Sequence, residues 1–126
     1  MDHSPRFLAL VGAARARVRE LSVADYAAAP PAGAILVDVR EDNEWAAGHA
    51  EGAVHLGKGV LERDVEKRFP DLDAPLVLYC GGGFRSALSA AALVDMGYRN
   101  VWSLDGGWKG WVAAGLPVRT PGVDTP

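Results

Sequence analysis

Short apolar runs alternate along the chain with longer segments of helical spacing. Four runs are bounded by glycine, proline or polar residues, which is typical of strands; they are Ala34–Val37, Gly52–Leu56, Leu76–Tyr79 and Val101–Leu104. Helices are predicted before, between and after them, over residues 23–29, 41–47, 59–69, 87–96 and 108–114. Strands that alternate with helices favour an α/β fold in which helices cover both faces of a mostly parallel central sheet.

One further amphipathic helix is predicted ahead of this alternation. Ser4 can cap its first turn, and Pro5 suits the first helical position. Apolar residues then recur at spacings of four and three and form one stripe; they are Phe7, Val11, Ala14, Val18 and Leu21. We therefore expect an N-terminal helical extension over residues 1–20, one α/β domain over residues 21–118, and a loose tail over residues 119–126.

Composition and charge narrow the classes of function. The chain has 126 residues, of which 49% are hydrophobic and 23% charged, and this suits one globular domain with its own core. The formal net charge of −3 gives no reason to expect nucleic acid or an anionic membrane as a partner. Arg15, Arg17 and Arg19 are best explained as a solvated helix face, since no aromatic residues are interleaved with them.

The single cysteine, Cys80, bears on the compartment. One cysteine cannot form an intramolecular disulfide, so the chain is not a disulfide-stapled secreted scaffold. No segment approaches the ~20 apolar residues that span a bilayer. Arginines also interrupt the N-terminal apolar run, unlike the layout of a signal peptide. We expect a cytoplasmic protein whose thiol stays reduced.

Candidate chemistry centres on the loop Cys80–Ser86, which follows the third apolar run and precedes a helix. The thiolate is the nucleophilic form of cysteine, and a helix N-terminus with a nearby arginine favours it. Three successive glycines let backbone N–H groups turn inward and form a nest for an anion. Arg85 adds a fixed positive charge, and Ser86 can cap the helix or donate to the thiolate.

Each of these features alone has an ordinary explanation. A single cysteine usually packs as a small apolar side chain, and a run of glycines usually forms a flexible turn. Their coincidence at a strand-to-helix junction, with Arg85 five residues after Cys80, is less easily explained that way. Ligands of parallel sheets bind beyond the carboxyl ends of the strands, which is where Cys80 falls. A reactive site is therefore predicted at this loop.

Four stretches in order carry a family resemblance. They are Leu36–Glu41 followed by Glu44, Gly48–His55, the loop Cys80–Ser86, and Gly106–Trp108 with Trp111 and then Gly115–Pro117. Together they resemble the single-domain rhodanese, or sulfurtransferase, family over roughly residues 20–118. The resemblance implies a three-layer α/β/α domain. The N-terminal helix lies outside the usual minimal domain.

The resemblance also implies a thiosulfate sulfurtransferase that needs no cofactor. Cys80 would attack the sulfane sulfur of thiosulfate or of a persulfide and become a cysteine persulfide, which cyanide or a thiol would then discharge. Arg85 would be catalytic with it. Six residues would bind substrate; they are Gly81, Gly82, Gly83, Phe84, Ser86 and Trp108. With no second cysteine in the chain, the acceptor must come from outside, either as a small molecule or as a partner protein.

The other polar residues of the motifs are expected to support the loop. These residues are Asp38, Arg40, Glu44 and His49. A metal site is not expected, because His49 and His55 lie near no cluster of thiolates or carboxylates in the predicted arrangement. Trp108 is expected to border the entrance of the site, and Phe84 to touch substrate.

Two alternatives stay open. A persulfide carrier or sensor would keep the same residues and deliver sulfur only to a partner protein. A cysteine-dependent phosphatase or arsenate reductase would be similar in fold, but the related phosphatase loops are one residue longer than the six residues of Cys80–Arg85. The shorter nest suits a single sulfur atom better than a tetrahedral phosphate.

Overall fold

The computed structural model describes residues 3–121, which fold into six helices and seven strands. The helices are α1 (Pro5–Arg15), α2 (Val23–Ala28), α3 (Asp42–Ala47), α4 (Lys58–Arg68), α5 (Phe84–Asp95) and α6 (Gly107–Ala113). The strands are β1 (Arg19–Ser22), β2 (Ile35–Asp38), β3 (His49–Ala50), β4 (Val54–His55), β5 (Leu76–Tyr79), β6 (Val101–Asp105) and β7 (Val118–Arg119).

The central sheet confirms the predicted α/β fold. Its five strands run in the order β1-β6-β5-β2-β4, and every neighbouring pair is parallel. A separate two-stranded antiparallel ribbon joins β3 to β7. Since all strands of the main sheet point the same way, the residues that follow β2, β5 and β6 meet at one edge.

Strand β5 lies in the middle of the sheet and is buried on both faces. Leu78 and Cys80 pack into a core with α4 and α5. Val77 and Tyr79 point the other way, into a core with Trp111 of α6. This alternation follows from the two-residue period of a strand, and it delivers Cys80 to the face that α5 covers.

The N-terminal helix is shorter than its apolar stripe predicts. Helix α1 ends at Arg15, and residues 19–22 form edge strand β1 beside β6. The prediction that the helix continues to Leu21 is therefore wrong. Pairing with β6 and stacking of the Arg19 guanidinium on Trp102, 3.9 Å from the ring centre, outweigh the helical spacing. The boundary predicted after residue 20 falls inside this strand.

Helix α1 packs on the outer side of α5. Val11 and Ala14 are buried against Ala87 and Ala91. At the other end of the chain, Arg119 belongs to β7, so the predicted loose tail does not begin there. The remainder of that tail, residues 122–126, lies outside the described residues. No helix within residues 3–121 has the length and apolar character to cross a membrane.

Replacing Val11 tests whether α1 is part of the folded unit. Val11 is 1% exposed, so we expect Val11→Ala to lower the free energy of unfolding by about 2 kcal/mol through lost burial and a cavity. Chemical denaturation measures the change. Leu10→Ala is the control, because Leu10 on the same helix is 59% exposed and its replacement should stay within about 0.5 kcal/mol. Equal effects would contradict this packing.

Candidate active site

The loop after β5 turns directly into the first turn of α5. Gly83 is the N-cap residue of α5 and has a φ of +101°, a left-handed conformation that favours glycine. Helix α5 therefore begins at Phe84, three residues before its predicted start at Ala87, and Arg85 and Ser86 lie in its first turn. The loop proper consists of Cys80, Gly81 and Gly82.

Backbone N–H groups of this turn point at the cysteine sulfur. The N–H of Gly83 lies 3.1 Å from Cys80 Sγ, and the N–H of Ser86 lies 3.3 Å from it. Cys80 is buried at the base of the loop. Two backbone donors and the positive end of the α5 dipole thus face one sulfur atom, an arrangement that stabilises negative charge there.

Two buried serine hydroxyls extend this hydrogen-bond network. Ser86 Oγ lies 3.6 Å from Cys80 Sγ and 2.8 Å from the Oγ of Ser103 in β6. Ser86 does not cap α5, because Gly83 is the N-cap and no side chain bonds there. Ser103 was not predicted from the sequence, although a serine inside an otherwise buried strand indicates a hydrogen-bonding role.

Helix α6 holds the loop from the other side. The N–H of Trp108 donates to the carbonyl of Cys80 at 2.7 Å, and the N–H of Lys109 donates to that of Gly81 at 3.0 Å. Gly107 makes this close approach possible: its φ is +50°, and a methyl group there would collide with the Cys80 carbonyl oxygen. The loop carbonyls are thereby turned away from the sulfur.

Arg85 forms an ion pair with Glu44 of α3. Arg85 Nη1 and Nη2 lie 2.7 and 3.1 Å from the two carboxylate oxygens of Glu44. This hydrogen bonding lowers the pKa of Glu44 and raises that of Arg85. Glu44 also accepts the N–H of Glu41, which closes a capping box at the start of α3. Glu44 therefore supports the loop through its arginine.

A buried network lies next to the loop. Arg40 Nη2 donates to Asp38 at 2.8 Å and to the carbonyl of Gly48 at 2.6 Å. The Tyr79 hydroxyl donates to Asp38 at 2.6 Å and accepts the N–H of Ala50. Burial, together with this hydrogen bond to Asp38, raises the pKa of Tyr79. The network ties the ends of β2 and β5 to β3.

The structure places His49 and Trp108 beside this network. The His49 ring stacks on Trp45 with centroids 3.4 Å apart, and its Nδ1 lies 3.3 Å from the Trp45 carbonyl. The Trp108 ring lies against the Arg40 guanidinium, 4.6 Å from its carbon to the ring centre. Within residues 3–121, no three His, Cys, Asp or Glu side chains come together as a metal site.

A pocket of about 320 Å³ opens above the cysteine. Its lining consists of His3, Phe7, Glu44, Cys80, Gly81, Gly82, Phe84, Arg85 and Lys109. Of the predicted site residues, Gly83 and Ser86 bond to the sulfur from below, and Trp108 is not part of the lining. A larger groove of about 400 Å³ lies at the opposite edge of the sheet, around Arg17 and Arg99, and Cys80 is not part of its lining.

The sequence analysis missed three residues of the lining, namely His3, Phe7 and Lys109. His3 and Phe7 belong to the segment ahead of the recognised motifs. Lys109 follows Trp108, and a single lysine next to a motif residue gives no signal of its own in the sequence. The packing of α1 on α5 brings Phe7 to the pocket, and the His3 ring lies against Phe7 and Phe84.

Comparisons with known proteins agree with this geometry. The family model for the rhodanese-like domain matches residues 22–114. Thiosulfate sulfurtransferase GlpE of Haemophilus influenzae is 41% identical over 88 residues, which cover 70% of this chain and 82% of that protein.

Two solved structures cover nearly the whole chain. A protein of unknown function from Rhodopseudomonas palustris, described as a possible tyrosine phosphatase, superposes with a TM-score of 0.81 at 28% identity, covering 94% of this chain and 99% of that one. The polysulfide-sulfur transferase homodimer of Wolinella succinogenes superposes with a TM-score of 0.76 at 28% identity, covering 96% of this chain and 92% of that one.

Replacing Glu44 tests the ion pair. Both partners are about one-third exposed, so we expect Glu44→Gln to lower the free energy of unfolding by less than about 1 kcal/mol at pH 7. The pKa of Glu44 is lowered in the folded state, so this stabilisation is present above its ordinary value of 4.5 and is lost as pH falls through the folded pKa. Urea denaturation across this range measures the difference between the proteins.

Glu62→Gln is the matched control for Glu44→Gln. Glu62 is exposed on α4 and has no ion-pair partner within the described part of the chain. Its replacement should leave the free energy of unfolding within about 0.5 kcal/mol at every pH. A Glu44→Gln effect that persists unchanged in acid would contradict the assignment.

Replacing Gly107 tests the close contact between α6 and the loop. Gly107→Ala should cost roughly 3 kcal/mol, because it combines a left-handed φ with a clash against Cys80. Gly115→Ala separates the two causes: Gly115 has a φ of +72° but nothing within 4 Å of the added methyl. We expect it to cost about 1–2 kcal/mol. If Gly107→Ala and Gly115→Ala lose the same stability in thermal or chemical denaturation, the clash with Cys80 does not contribute.

Proposed function

We propose a sulfurtransferase activity for this chain, which belongs to the rhodanese-like domain family. The observation that carries the proposal is the pair of N–H groups, from Gly83 and Ser86, that point at the single buried thiol at the end of β5. The GlpE relative, whose name states thiosulfate sulfurtransferase, supports thiosulfate as a donor.

In the first half-reaction, the Cys80 thiolate attacks the sulfane sulfur of thiosulfate. A bond forms between Sγ and that sulfur while the sulfur–sulfur bond of thiosulfate breaks, and its electron pair leaves with sulfite. Cys80 then carries a persulfide. In the second half-reaction, a nucleophile such as cyanide or a thiol attacks the outer sulfur, and the electron pair returns to Sγ as a thiolate.

The loop supplies most of the electrostatic stabilisation in this proposal. The N–H groups on Sγ stabilise the thiolate before attack and again when it leaves. The Cys80 thiol donates to the Ser86 hydroxyl, which is hydrogen-bonded to Ser103; once the thiol is ionised, that hydroxyl can donate to the same sulfur. Arg85 lies above Gly81, so a methyl at Gly81 would come within 3.1 Å of Arg85 Nη2. Its charge is partly offset by Glu44, which holds its position.

A phosphatase is the second candidate, because one structural neighbour is described as a possible tyrosine phosphatase. Two observations favour sulfur transfer over it. The span Cys80–Arg85 is six residues, one fewer than in the related phosphatases. Arg85 is also engaged by Glu44 through both terminal nitrogens and is not directed as a free fork at a bound oxyanion.

Intact mass spectrometry tests the proposed reaction directly. The protein is incubated briefly with thiosulfate, without reductant, and then with cyanide. We expect the mass to increase by one sulfur atom and the increase to disappear with release of thiocyanate, since the persulfide is a covalent intermediate. Cys80→Ser should gain no sulfur.

The outcome separates the candidates. If neither thiosulfate nor a small organic persulfide adds sulfur to the wild-type protein, the sulfurtransferase proposal fails. Cleavage of para-nitrophenyl phosphate that depends on Cys80 would then support the phosphatase. A persulfide that forms but resists cyanide and every small thiol would instead favour a carrier that discharges to a partner protein.

A further inference from the structure

The N-terminal segment and helix α5 together form an aromatic wall in the pocket above Cys80. The wall consists of the rings of His3, Phe7 and Phe84. The His3 ring centre lies 4.5 Å from that of Phe84 and 5.2 Å from that of Phe7, while the two phenyl centres are 6.2 Å apart. His3 and Phe7 precede residue 22, where the match to the family model begins.

The aromatic wall is anchored by its packing. Phe7 and Phe84 pack against the buried cluster that joins α1 to α5, next to Val11 and Ala87. The Arg15 guanidinium also lies against Phe84, 4.9 Å from its ring centre. An apolar surface that is fixed in this way and still lines the pocket offers a contact for an apolar part of a ligand.

The charges around the pocket leave one cation unbalanced. The Glu44 carboxylate faces the pocket together with Arg85, and the two charges largely offset each other. Lys109 is exposed at the pocket, and within residues 3–121 no carboxylate pairs with its ammonium group. A carboxylate on a ligand would find its complement there.

We propose that the aromatic wall and Lys109 form the acceptor site for a low-molecular-weight organic thiol that has an apolar, preferably aromatic, body and a carboxylate. The proposal rests on the sulfurtransferase function proposed above and names its acceptor class. At about 320 Å³ the pocket is at the small end of ligand sites, which suits such a molecule. Cyanide could reach the sulfur without touching the aromatic wall.

The transfer step balances without a further reactant. The acceptor thiolate attacks the outer sulfur of the Cys80 persulfide, and a new sulfur–sulfur bond forms on the acceptor. The bond to Sγ breaks, and its electron pair stays on Cys80 as a thiolate. The acceptor leaves as an organic persulfide, while the proton of its thiol has gone to solvent.

Acceptor selectivity tests the aromatic wall. The persulfidated protein is assayed with para-mercaptobenzoate, para-thiocresol, mercaptoethanol and cyanide, and kcat/KM is compared between variants so that intrinsic thiol reactivity cancels. We expect Phe7→Ala to lower the ratio of kcat/KM for para-thiocresol to that for cyanide roughly tenfold, through loss of the aromatic contact. His3→Ala should change the ratio in the same direction.

Two variants guard against a purely structural effect. His3 is exposed, so its removal does not open the core as Phe7→Ala does. Leu10→Ala alters an exposed side chain on the same helix, which does not line the pocket, and should leave the ratio unchanged. If Leu10→Ala shifts the ratio as much as His3→Ala and Phe7→Ala do, the wall is not the cause and the proposal fails.

Replacing Lys109 tests the charge. Lys109→Met keeps the backbone N–H that bonds to Gly81 and should lower kcat/KM roughly threefold for para-mercaptobenzoate relative to para-thiocresol. The wild-type protein could react with cyanide but show no preference for the aromatic thiols over mercaptoethanol once intrinsic thiol reactivity is allowed for. That result would overturn the proposed acceptor site and leave the sulfurtransferase function standing. Absence of any persulfide would remove both.

Discussion

The site depends on how the loop after β5 sorts its backbone groups. Two N–H groups, of Gly83 and Ser86, face the sulfur, whereas the carbonyls of Cys80 and Gly81 accept N–H groups from α6. Carbonyl oxygens turned toward the sulfur would repel a thiolate, so the bonds to α6 matter as much as the donors themselves. Helix α6 therefore sets the electrostatic environment of the cysteine although the Trp108 ring lies elsewhere, against Arg40.

The buried Asp38–Arg40 pair links the sheet to the loop arginine. A buried ion pair is weak evidence for stability by itself, because desolvation of the two charges offsets their attraction. The pair matters here because it positions α3: Arg40 also binds the Gly48 carbonyl at the end of this helix, which carries Glu44. Glu44 in turn holds Arg85 above the pocket. The ends of the strands thus fix the position of Arg85, the second candidate catalytic residue beside Cys80.

The sequence analysis succeeded where the signals are local. The apolar run, the glycines and the helix around Cys80 stand next to one another, so strand β5 and the turn into a helix after it were predicted correctly, although the helix begins three residues earlier than expected. It failed where an element or a contact depends on residues that are distant in the sequence. Arg19–Ser22 is a partly exposed edge strand that is defined by β6, about 80 positions later. Glu44 was expected to support the loop, but its partner Arg85, 41 positions away, was not identified. The two-residue strands β3 and β7 likewise exist only through each other.

The aromatic wall shows a further limit of motif-based reasoning. The motifs describe the loop that would make and break the persulfide, and they say nothing about what stands beyond its outer sulfur. Cys80 lines the pocket, and a sulfur–sulfur bond is about 2.05 Å long, so the outer sulfur of the proposed persulfide would extend from the buried base of the loop into the pocket. In the proposed reaction, the acceptor would reach this sulfur through the pocket that the aromatic wall and Lys109 line. Because α5 carries both Phe84 and the N–H of Ser86, the packing of α1 on α5 fixes the wall relative to the sulfur. Chemistry and acceptor selectivity can then change independently: the first through the loop, the second through His3 and Phe7, which lie outside it.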